Sequence, residues 1–414
     1  MIRLFIGKIL PSILLLLAYT LIAPLASANA DNNSLINKGK YLATAGNCAG
    51  CHTKANGELY AGGVAFNTNF GTVYSTNITP DTATGIGSWT EDDFKNALWQ
   101  GLRPDGNHLY PVFPYTSYTG LSEADVSALY HYLKSLNPVS APPHGNELSF
   151  PFDQRWLLTL WKQFFFQPGR FSENSKQSAS LNRGAYLVET LGHCSACHTP
   201  RNFLGAEIKD LALSGGTYLD YLPNGQIRPW FAVDLTSSKT GLGAWSKEDI
   251  AAYLKTGVNN YATSFGPMNK VIKNSTHHLD DNDIEAMASY LHSLPPADHS
   301  HKPPITDDTF KQGLSLYSIH CATCHLPTGK GSMETGPSLT GNPVVQAPNP
   351  ASLLNVILYG PELPELKLPV QRTAMDSYQH QLNDEEVAAI ASYIRNAWGN
   401  SSSAVTAQQV ELQR

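Results

Sequence analysis

The sequence contains C-A-G-C-H at residues 48–52, C-S-A-C-H at residues 194–198 and C-A-T-C-H at residues 321–325. These three copies of C-x-x-C-H use all 6 cysteines of the 414-residue chain. In this motif two thiols add to the vinyl groups of a porphyrin and the next histidine binds its iron, so the motif is an attachment site for c-type haem. We therefore predict three covalently bound haem c groups, attached at Cys48, Cys51, Cys194, Cys197, Cys321 and Cys324.

The adjacent histidine distinguishes this interpretation from two other uses of paired cysteines. A redox-active dithiol needs no histidine after its C-x-x-C, yet a histidine follows each pair here. A structural zinc ion needs four nitrogen or sulfur ligands, whereas each motif supplies three. We therefore predict that the proximal iron ligands are His52, His198 and His325.

Residues 1–30 have the pattern of an export signal. Arg3 and Lys8 form a positive segment, an apolar run follows, and Ala28-Asn29-Ala30 ends it with an A-x-A cleavage pattern. A membrane anchor is the alternative, but the apolar run is short and contains Pro11. We expect cleavage and export of the mature chain to the periplasm.

The composition argues against several other classes of protein. Hydrophobic residues make up 42% of the chain, which is enough for folded cores and excludes intrinsic disorder. Lys and Arg total 28 against 34 Asp and Glu, so the net charge of −6 offers no basic excess for binding nucleic acid. The sequence has no nucleotide-binding fingerprint, P-loop or convincing Ser/His/Asp arrangement, so we predict no catalytic residues.

Each motif lies in a repeated unit of the sequence. A segment with glycine and tyrosine precedes the motif, and far downstream an amphipathic helix pattern begins near Leu121, Leu279 and Leu382 in turn. In these patterns apolar residues recur at helical spacing and acidic residues crowd the N-terminus, as the helix dipole favours. In the first two units, Thr90 and Ser246 are predicted N-caps of a further helix.

The order of helix, C-x-x-C-H, loops, methionine and terminal helix is typical of a class I cytochrome c domain. We predict a mainly α fold with three such domains in tandem and long Gly/Pro-rich loops. The predicted organisation is a signal peptide (1–30), domain 1 (31–136), a linker with an apolar helix (137–180), domain 2 (181–294), a second linker (295–307), domain 3 (308–400) and a C-terminal tail (401–414).

Two methionines have the position of a sixth iron ligand. Met268 and Met375 each lie in the loop before a terminal helix, 70 and 50 residues after the histidine of their own motif. A thioether there raises the reduction potential and fills the coordination position, which favours electron transfer. Met287 lies on a helix stripe and is predicted to pack in the core, and Met333 is predicted to make a loop contact.

Longer phrases of the sequence identify a family. They include S-T-N-I-T-P at residues 75–80, N-R-G-A-Y-L at 182–187, G-P-M at 266–268 and Y-I-R-N-A-W-G-N at 393–400. With these phrases the chain resembles the tri-haem cytochrome c subunits of bacterial membrane-bound alcohol, aldehyde, gluconate and related sugar-alcohol dehydrogenases. The resemblance implies a quinoprotein or flavoprotein dehydrogenase subunit as electron donor and ubiquinone or a downstream oxidase as acceptor. It also implies peripheral attachment to the inner membrane.

The first unit departs from the family pattern. The family reads Y-P-x-M-P-Y before the terminal helix, whereas residues 110–115 read Y-P-V-F-P-Y, with Phe113 at the methionine position. Phenylalanine cannot bind iron, and no methionine occurs between His52 and Met268. Three arrangements stay open for the first haem: an open or water-bound iron, ligation by His108, or a ligand from another domain.

The segment Phe150–Phe166 concentrates large apolar side chains in the first predicted linker. It either fills a cleft between the first two domains or forms a docking patch for a dehydrogenase subunit or the membrane surface.

Two other functions remain possible alternatives to that of an electron-transfer subunit. They are a free-standing soluble electron shuttle and a haem enzyme or ligand binder that acts at an open first haem.

Overall fold

The computed structural model describes residues 32–222, 226–297, 305–332, 334–362 and 374–414. The predicted signal peptide and Met333 lie outside these residues. The helices are α1 (32–45), α2 (Cys48–His52), α3 (Glu91–Gln100), α4 (Tyr115–Tyr118), α5 (Glu123–Lys134), α6 (Leu157–Phe165), α7 (Ala179–Ala185), α8 (Ser195–His198), α9 (Lys247–Thr256), α10 (Pro267–Asn274), α11 (Asp281–Ser293), α12 (Asp307–His320), α13 (Ala322–His325), α14 (Pro343–Gln346), α15 (Ala351–Tyr359), α16 (Asp384–Ile394) and α17 (Ala407–Glu411). A π-helical segment, Tyr186–Leu191, continues α7.

Two small antiparallel sheets accompany these helices in the described part of the chain. The first has the order β1 (Ala65–Thr68), β2 (Gly71–Tyr74) and β3 (Glu147–Leu148). The second pairs β4 (Gly216–Tyr221) with β5 (Ile227–Ala232). The fold is mainly α, as predicted, and the hairpins lie within the long loops that follow the first and second motifs.

Local sequence signals fix the starts of α3 and α9. The side chains of Thr90 and Ser246 accept hydrogen bonds from the N–H groups of Asp93 and Asp249, and these carboxylates bond back to the cap N–H. Each reciprocal pair is a capping box, which satisfies donors that a helix N-terminus leaves open. Both predicted N-caps are confirmed.

The same helix crossing occurs in all three units. In each unit a glycine of the helix before the motif lies against a backbone carbonyl of the terminal helix α5, α11 or α16. A Cβ atom on the glycine would come within 2.0–2.2 Å of that oxygen, so a side chain does not fit at the crossing. The pairs are Gly39–Ala128, Gly184–Ala286 and Gly313–Ala389.

The first two units share one hydrophobic core, and the third unit has its own. Leu42 and Val126 of the first unit belong to the same buried cluster as Leu187 and Met287 of the second. The predicted stripes of the three terminal helices are buried, and Met287 lies in the core as predicted. The first two units therefore fold against each other.

A pair of contacts with the same chemistry joins the first two units. The Tyr41 hydroxyl donates to the Asp283 carboxylate at 2.7 Å, and the Tyr186 hydroxyl donates to Asp125 at 2.5 Å. Tyr41 and Tyr186 occupy equivalent positions, two residues after the glycine of the helix crossing. Each unit thus gives a tyrosine to the terminal helix of the other.

The third unit contacts the second through hydrogen bonds between side chains and backbone groups. Ser352 of α15 both accepts from the N–H and donates to the carbonyl of Phe231 on β5, each at 2.9 Å. The Trp245 indole N–H donates to the Gly341 carbonyl at 3.2 Å. This contact differs in chemistry from the one between the first two units.

The predicted linker 137–180 packs on the first two units. The Val139 carbonyl accepts from Asn77 at 2.7 Å, and β3 extends the first sheet. The predicted apolar helix is present as α6, whose Lys162 donates to the Gly101 carbonyl at 3.0 Å and whose Trp161 donates to the Leu204 carbonyl at 3.0 Å. One face of α6 therefore bridges the first and second units.

No helix within the described residues is long and apolar enough to cross a membrane.

Candidate haem sites

The three motif histidines are held in the same way. Nδ1 of His52 is 2.7 Å from the Thr76 carbonyl, and Nδ1 of His198 is 2.7 Å from the Val233 carbonyl. In the third unit, Nδ1 of His325 is 3.0 Å from the carbonyl oxygen of Pro337. Because a carbonyl accepts from Nδ1–H, the ring takes the tautomer in which Nε2 carries the lone pair. This second-shell arrangement is typical of histidines that bind a metal through Nε2.

None of the six cysteines forms a disulfide. Burial raises the pKa of the thiols of Cys48, Cys194 and Cys321 to about 12. A redox-active dithiol has a lowered thiol pKa, so these pairs do not resemble one. Among the described side chains, no group of three or more His, Cys, Asp or Glu is placed to hold a metal ion by itself. The cysteines are therefore free for the thioether bonds that the motif predicts.

A large cavity lies at the second motif and reaches the first unit. Its volume of about 1640 Å³ exceeds the roughly 300–1,000 Å³ of ordinary ligand pockets. Cys194, Cys197, His198 and Met268 all line it. The fold therefore brings the predicted sixth ligand to the same cavity as the predicted attachment cysteines and the predicted proximal histidine of its own unit.

An unpaired donor faces this cavity. The Trp230 indole N–H is buried and has no hydrogen-bond partner among the described residues, while the side chain lines the cavity wall. A buried donor without an acceptor is costly, so its partner is expected in the group that fills the cavity. A haem carries carboxylate propionates that accept such a bond, so the residues present fit a haem.

The Met268 loop is shaped by a glycine. Gly266 has φ 56° and lies against the Trp230 ring, where a Cβ atom would come within 3.0 Å of the indole. Pro267 then begins α10 with Met268 as its second residue. In the third unit, Met375 and Cys321 both pack against the same buried core.

The first site has no methionine at the equivalent place. Phe113 is partly buried against the shared core, with its ring 5.5 Å from the ring of Tyr118. Nε2 of His108 is 2.9 Å from the Thr159 hydroxyl on α6, so the ring is engaged by the helix. His193 lies at the contact between the first two units, where its Nε2 is 3.3 Å from the Gly46 carbonyl.

Sequence reasoning missed several functional groups. The carbonyls of Thr76, Val233 and Pro337 orient the motif histidines, but a backbone acceptor leaves no signal of residue type. Thr76 lies in the phrase S-T-N-I-T-P, which marked the loop without revealing this role. The unpaired indole of Trp230 could also be recognised only from the structure, because Trp230 lies far from the second motif in the sequence.

Family models identify the class of these domains. Residues 36–137 match the model for cytochrome c, and residues 308–394 match the model for cytochrome C oxidase, cbb3-type, subunit III. Cytochrome c domains bind haem c covalently, which agrees with the motif and histidine geometry. The protein is therefore a c-type cytochrome.

Curated relatives cover nearly the whole chain. The chain is 38% identical to the cytochrome c subunit of alcohol dehydrogenase (quinone) from Gluconacetobacter polyoxogenes, over 95% of this chain and 87% of that protein. It is 37% identical to the gluconate 2-dehydrogenase cytochrome c subunit from Pantoea cypripedii, over 96% and 94%. It is 37% identical to the fructose dehydrogenase cytochrome subunit from Gluconobacter japonicus, over 92% and 82%. The chain belongs to this family of dehydrogenase cytochrome c subunits.

Proposed function

We propose that this protein is a periplasmic tri-haem cytochrome that transfers electrons from a partner dehydrogenase to ubiquinone or another component of the respiratory chain. The observation that carries the proposal is the threefold repetition of one site. Each C-x-x-C-H motif has a histidine whose Nδ1 is held by a loop carbonyl. A bound haem supplies one-electron redox chemistry, and the chain supplies its attachment, ligands and burial.

The middle unit is the third cytochrome c domain of this proposal, although the family models match the units on either side of it. It has the same motif, the same histidine geometry and the same glycine crossing, in which Gly184 lies against Ala286. Three tandem domains account for all six cysteines. The proposed domain boundaries are those predicted from the sequence, with 137–180 joining the first two domains.

Met268 and Met375 are the proposed sixth ligands in the second and third units. Met268 lines the cavity that also contains Cys194, Cys197 and His198. Met375 packs on the third core, and its loop leads into the terminal helix α16. Thioether ligation at both sites would keep both haem irons six-coordinate, which favours electron transfer over the binding of external ligands.

The electron donor is proposed to be a quinoprotein or flavoprotein subunit that oxidises a CH–OH group. The support is the similarity to cytochrome subunits whose names specify alcohol, gluconate or fructose dehydrogenases. In such a complex this chain is the non-catalytic subunit. Export would be directed by residues 1–30, whose sequence has the pattern of a cleavable signal.

The outer face of α6 supports peripheral attachment to the inner membrane. Trp156, Leu160 and Phe164 lie one helical turn apart and are 64%, 51% and 77% exposed. Phe150 and Phe203 are also highly exposed. An apolar stripe of this kind, rich in aromatic side chains, can insert into the headgroup boundary of a bilayer. The opposite face of α6 contacts the first two units, so the segment both fills a cleft and presents a surface.

Purification from native membranes tests the function. We expect a dehydrogenase subunit to copurify with this chain, and we expect the substrate of that subunit to reduce three haems per chain, counted by pyridine haemochrome analysis. A matched variant, Cys194→Ala/Cys197→Ala, should retain two covalent haems and lose transfer through the second. Purification of a stable monomer without any partner would support the free-standing shuttle and contradict this proposal.

A further inference from the structure

The first site differs from the other two in its surroundings. Tyr118 is buried, and its hydroxyl is 3.3 Å from the carbonyl of Gly46, two residues before Cys48. Phe113 lies against Tyr118, with 5.5 Å between ring centroids. The loop that carries a methionine ligand in the second unit therefore brings a phenyl ring near the first motif. A phenyl ring has no lone pair to donate to iron.

His108 is directed to another partner. Its Nε2 is 2.9 Å from the Thr159 hydroxyl, and its backbone carbonyl accepts from Arg155 at 2.7 Å. It also forms a bridge with Leu102. Both the backbone and the ring of His108 are thus fixed by contacts outside the first motif, and two of these contacts come from the segment that contains α6. Ligation of iron through Nε2 would break the bond to Thr159, whereas the buried Nδ1 has no hydrogen-bond partner among the described residues.

A histidine ring of the second unit lies beside the first motif, and it is also engaged. His193 meets Tyr118 edge-on at 5.4 Å, and its Nε2 is 3.3 Å from the Gly46 carbonyl. Met287 is buried in the shared core, and Met268 lines the cavity together with Cys194, Cys197 and His198 of its own unit, where it is the proposed ligand of the second haem. Each of these three side chains therefore has another role in the fold.

We propose that the first haem site lacks a sixth protein ligand and binds a small, uncharged diatomic molecule of the carbon monoxide or nitric oxide type. The inference rests on the proposed haem attachment at Cys48, Cys51 and His52. Phe113 makes this side of the site apolar and offers no hydrogen bond to a bound ligand. Distal polarity and donors govern whether haem iron activates oxygen, so this pocket is suited to simple binding.

Carbon monoxide is the probe. Titration of the reduced wild-type holoprotein should yield one carbon monoxide complex per chain, and electron paramagnetic resonance of the oxidised protein should show one high-spin haem. Phe113→Met should abolish both signals, because it supplies the missing thioether. The matched variant Met268→Phe should add a second carbon monoxide complex. His108→Ala and His193→Ala should leave the wild-type stoichiometry unchanged.

The outcomes separate this inference from the proposed function. Haem content is measured on the same samples by pyridine haemochrome analysis. Fewer than three haems would contradict the tri-haem proposal. Three low-spin haems that bind no carbon monoxide would overturn the open site alone, and a high-spin haem created by His108→Ala would then identify the histidine as ligand. If Phe113→Met does not fold, the wild-type titration and spin state still decide the matter.

Discussion

Replacement of Gly184 by alanine should destabilise the second unit. A Cβ atom at this position would lie 2.0 Å from the Ala286 oxygen and 2.8 Å from Cβ of Tyr290. Real Cβ contacts essentially never fall below 3.0 Å, so α7 and α11 must separate by about 1 Å in a packed interior that resists such shifts. Overpacking against backbone, which cannot rotate away, is expected to cost about 2–3 kcal/mol of unfolding free energy.

The assay is urea unfolding of the holoprotein, followed by tryptophan fluorescence. Gly145→Ala is the matched control, because nothing lies within 4 Å of its added methyl group and its backbone does not require glycine. We expect this control to match or slightly exceed the wild-type midpoint, since alanine restricts the unfolded chain. If Gly184→Ala unfolds at the same midpoint as Gly145→Ala, the close helix crossing is not a constraint and the reasoning fails.

Three further predictions follow from the contacts and exposed residues described above. Although burial opposes it, hydrogen bonds from Arg183 and Tyr41 hold the pKa of Asp283 below its ordinary value of 3.8. This carboxylate therefore contributes stability above that ordinary value, and the contribution is lost as the pH falls through the lowered pKa. Urea midpoints measured between about pH 6 and pH 3 should fall less steeply for Asp283→Asn than for the wild type or for the exposed control Asp308→Asn. Serine substitutions at Trp156, Leu160 and Phe164 should abolish sedimentation with anionic lipid vesicles, whereas serine at the exposed Ile319 and Leu412 should not; equal binding by both variants would rule out α6 as the contact. Cys321→Ala/Cys324→Ala should lower the intact mass by one haem without changing the other two sites, and an unchanged mass would refute covalent attachment in the third unit.

Local sequence patterns predicted what local physics determines. The capping residues Thr90 and Ser246, the buried stripe that contains Met287 and the mainly α fold were all correct, because each depends on neighbours within a turn or two. The repeated glycine before each motif was visible in the sequence, but the reason for it, a backbone carbonyl 76 to 102 residues away, was not.

The features that could not be predicted from the sequence depend on contacts between segments that are distant along the chain. The sequence around His193 is that of a loop, and only folding brings it to Gly46, 147 residues earlier. The division into separate domains gave no sign that the first two units share a core. The α6 helix was predicted, yet which of its faces would be buried depended on Gly101 and Leu204, which belong to different units.

The two tyrosine–aspartate contacts have an evolutionary consequence. Tyr41 meets Asp283 and Tyr186 meets Asp125, so the same pair of positions is used twice with the units exchanged. This is the signature of an isologous interface, in which identical subunits are related by a twofold axis. Fusion of the two subunits of a symmetric dimer would produce this arrangement within one chain.

The third unit does not take part in this reciprocal tyrosine–aspartate contact. Its equivalents of the tyrosine and the aspartate are Ser315 and Glu386, and Glu386 is used to cap its own helix. It therefore lacks both halves of the reciprocal contact and meets the second unit through Ser352 instead. The twofold relation therefore covers the first two units of the chain and does not extend to the third.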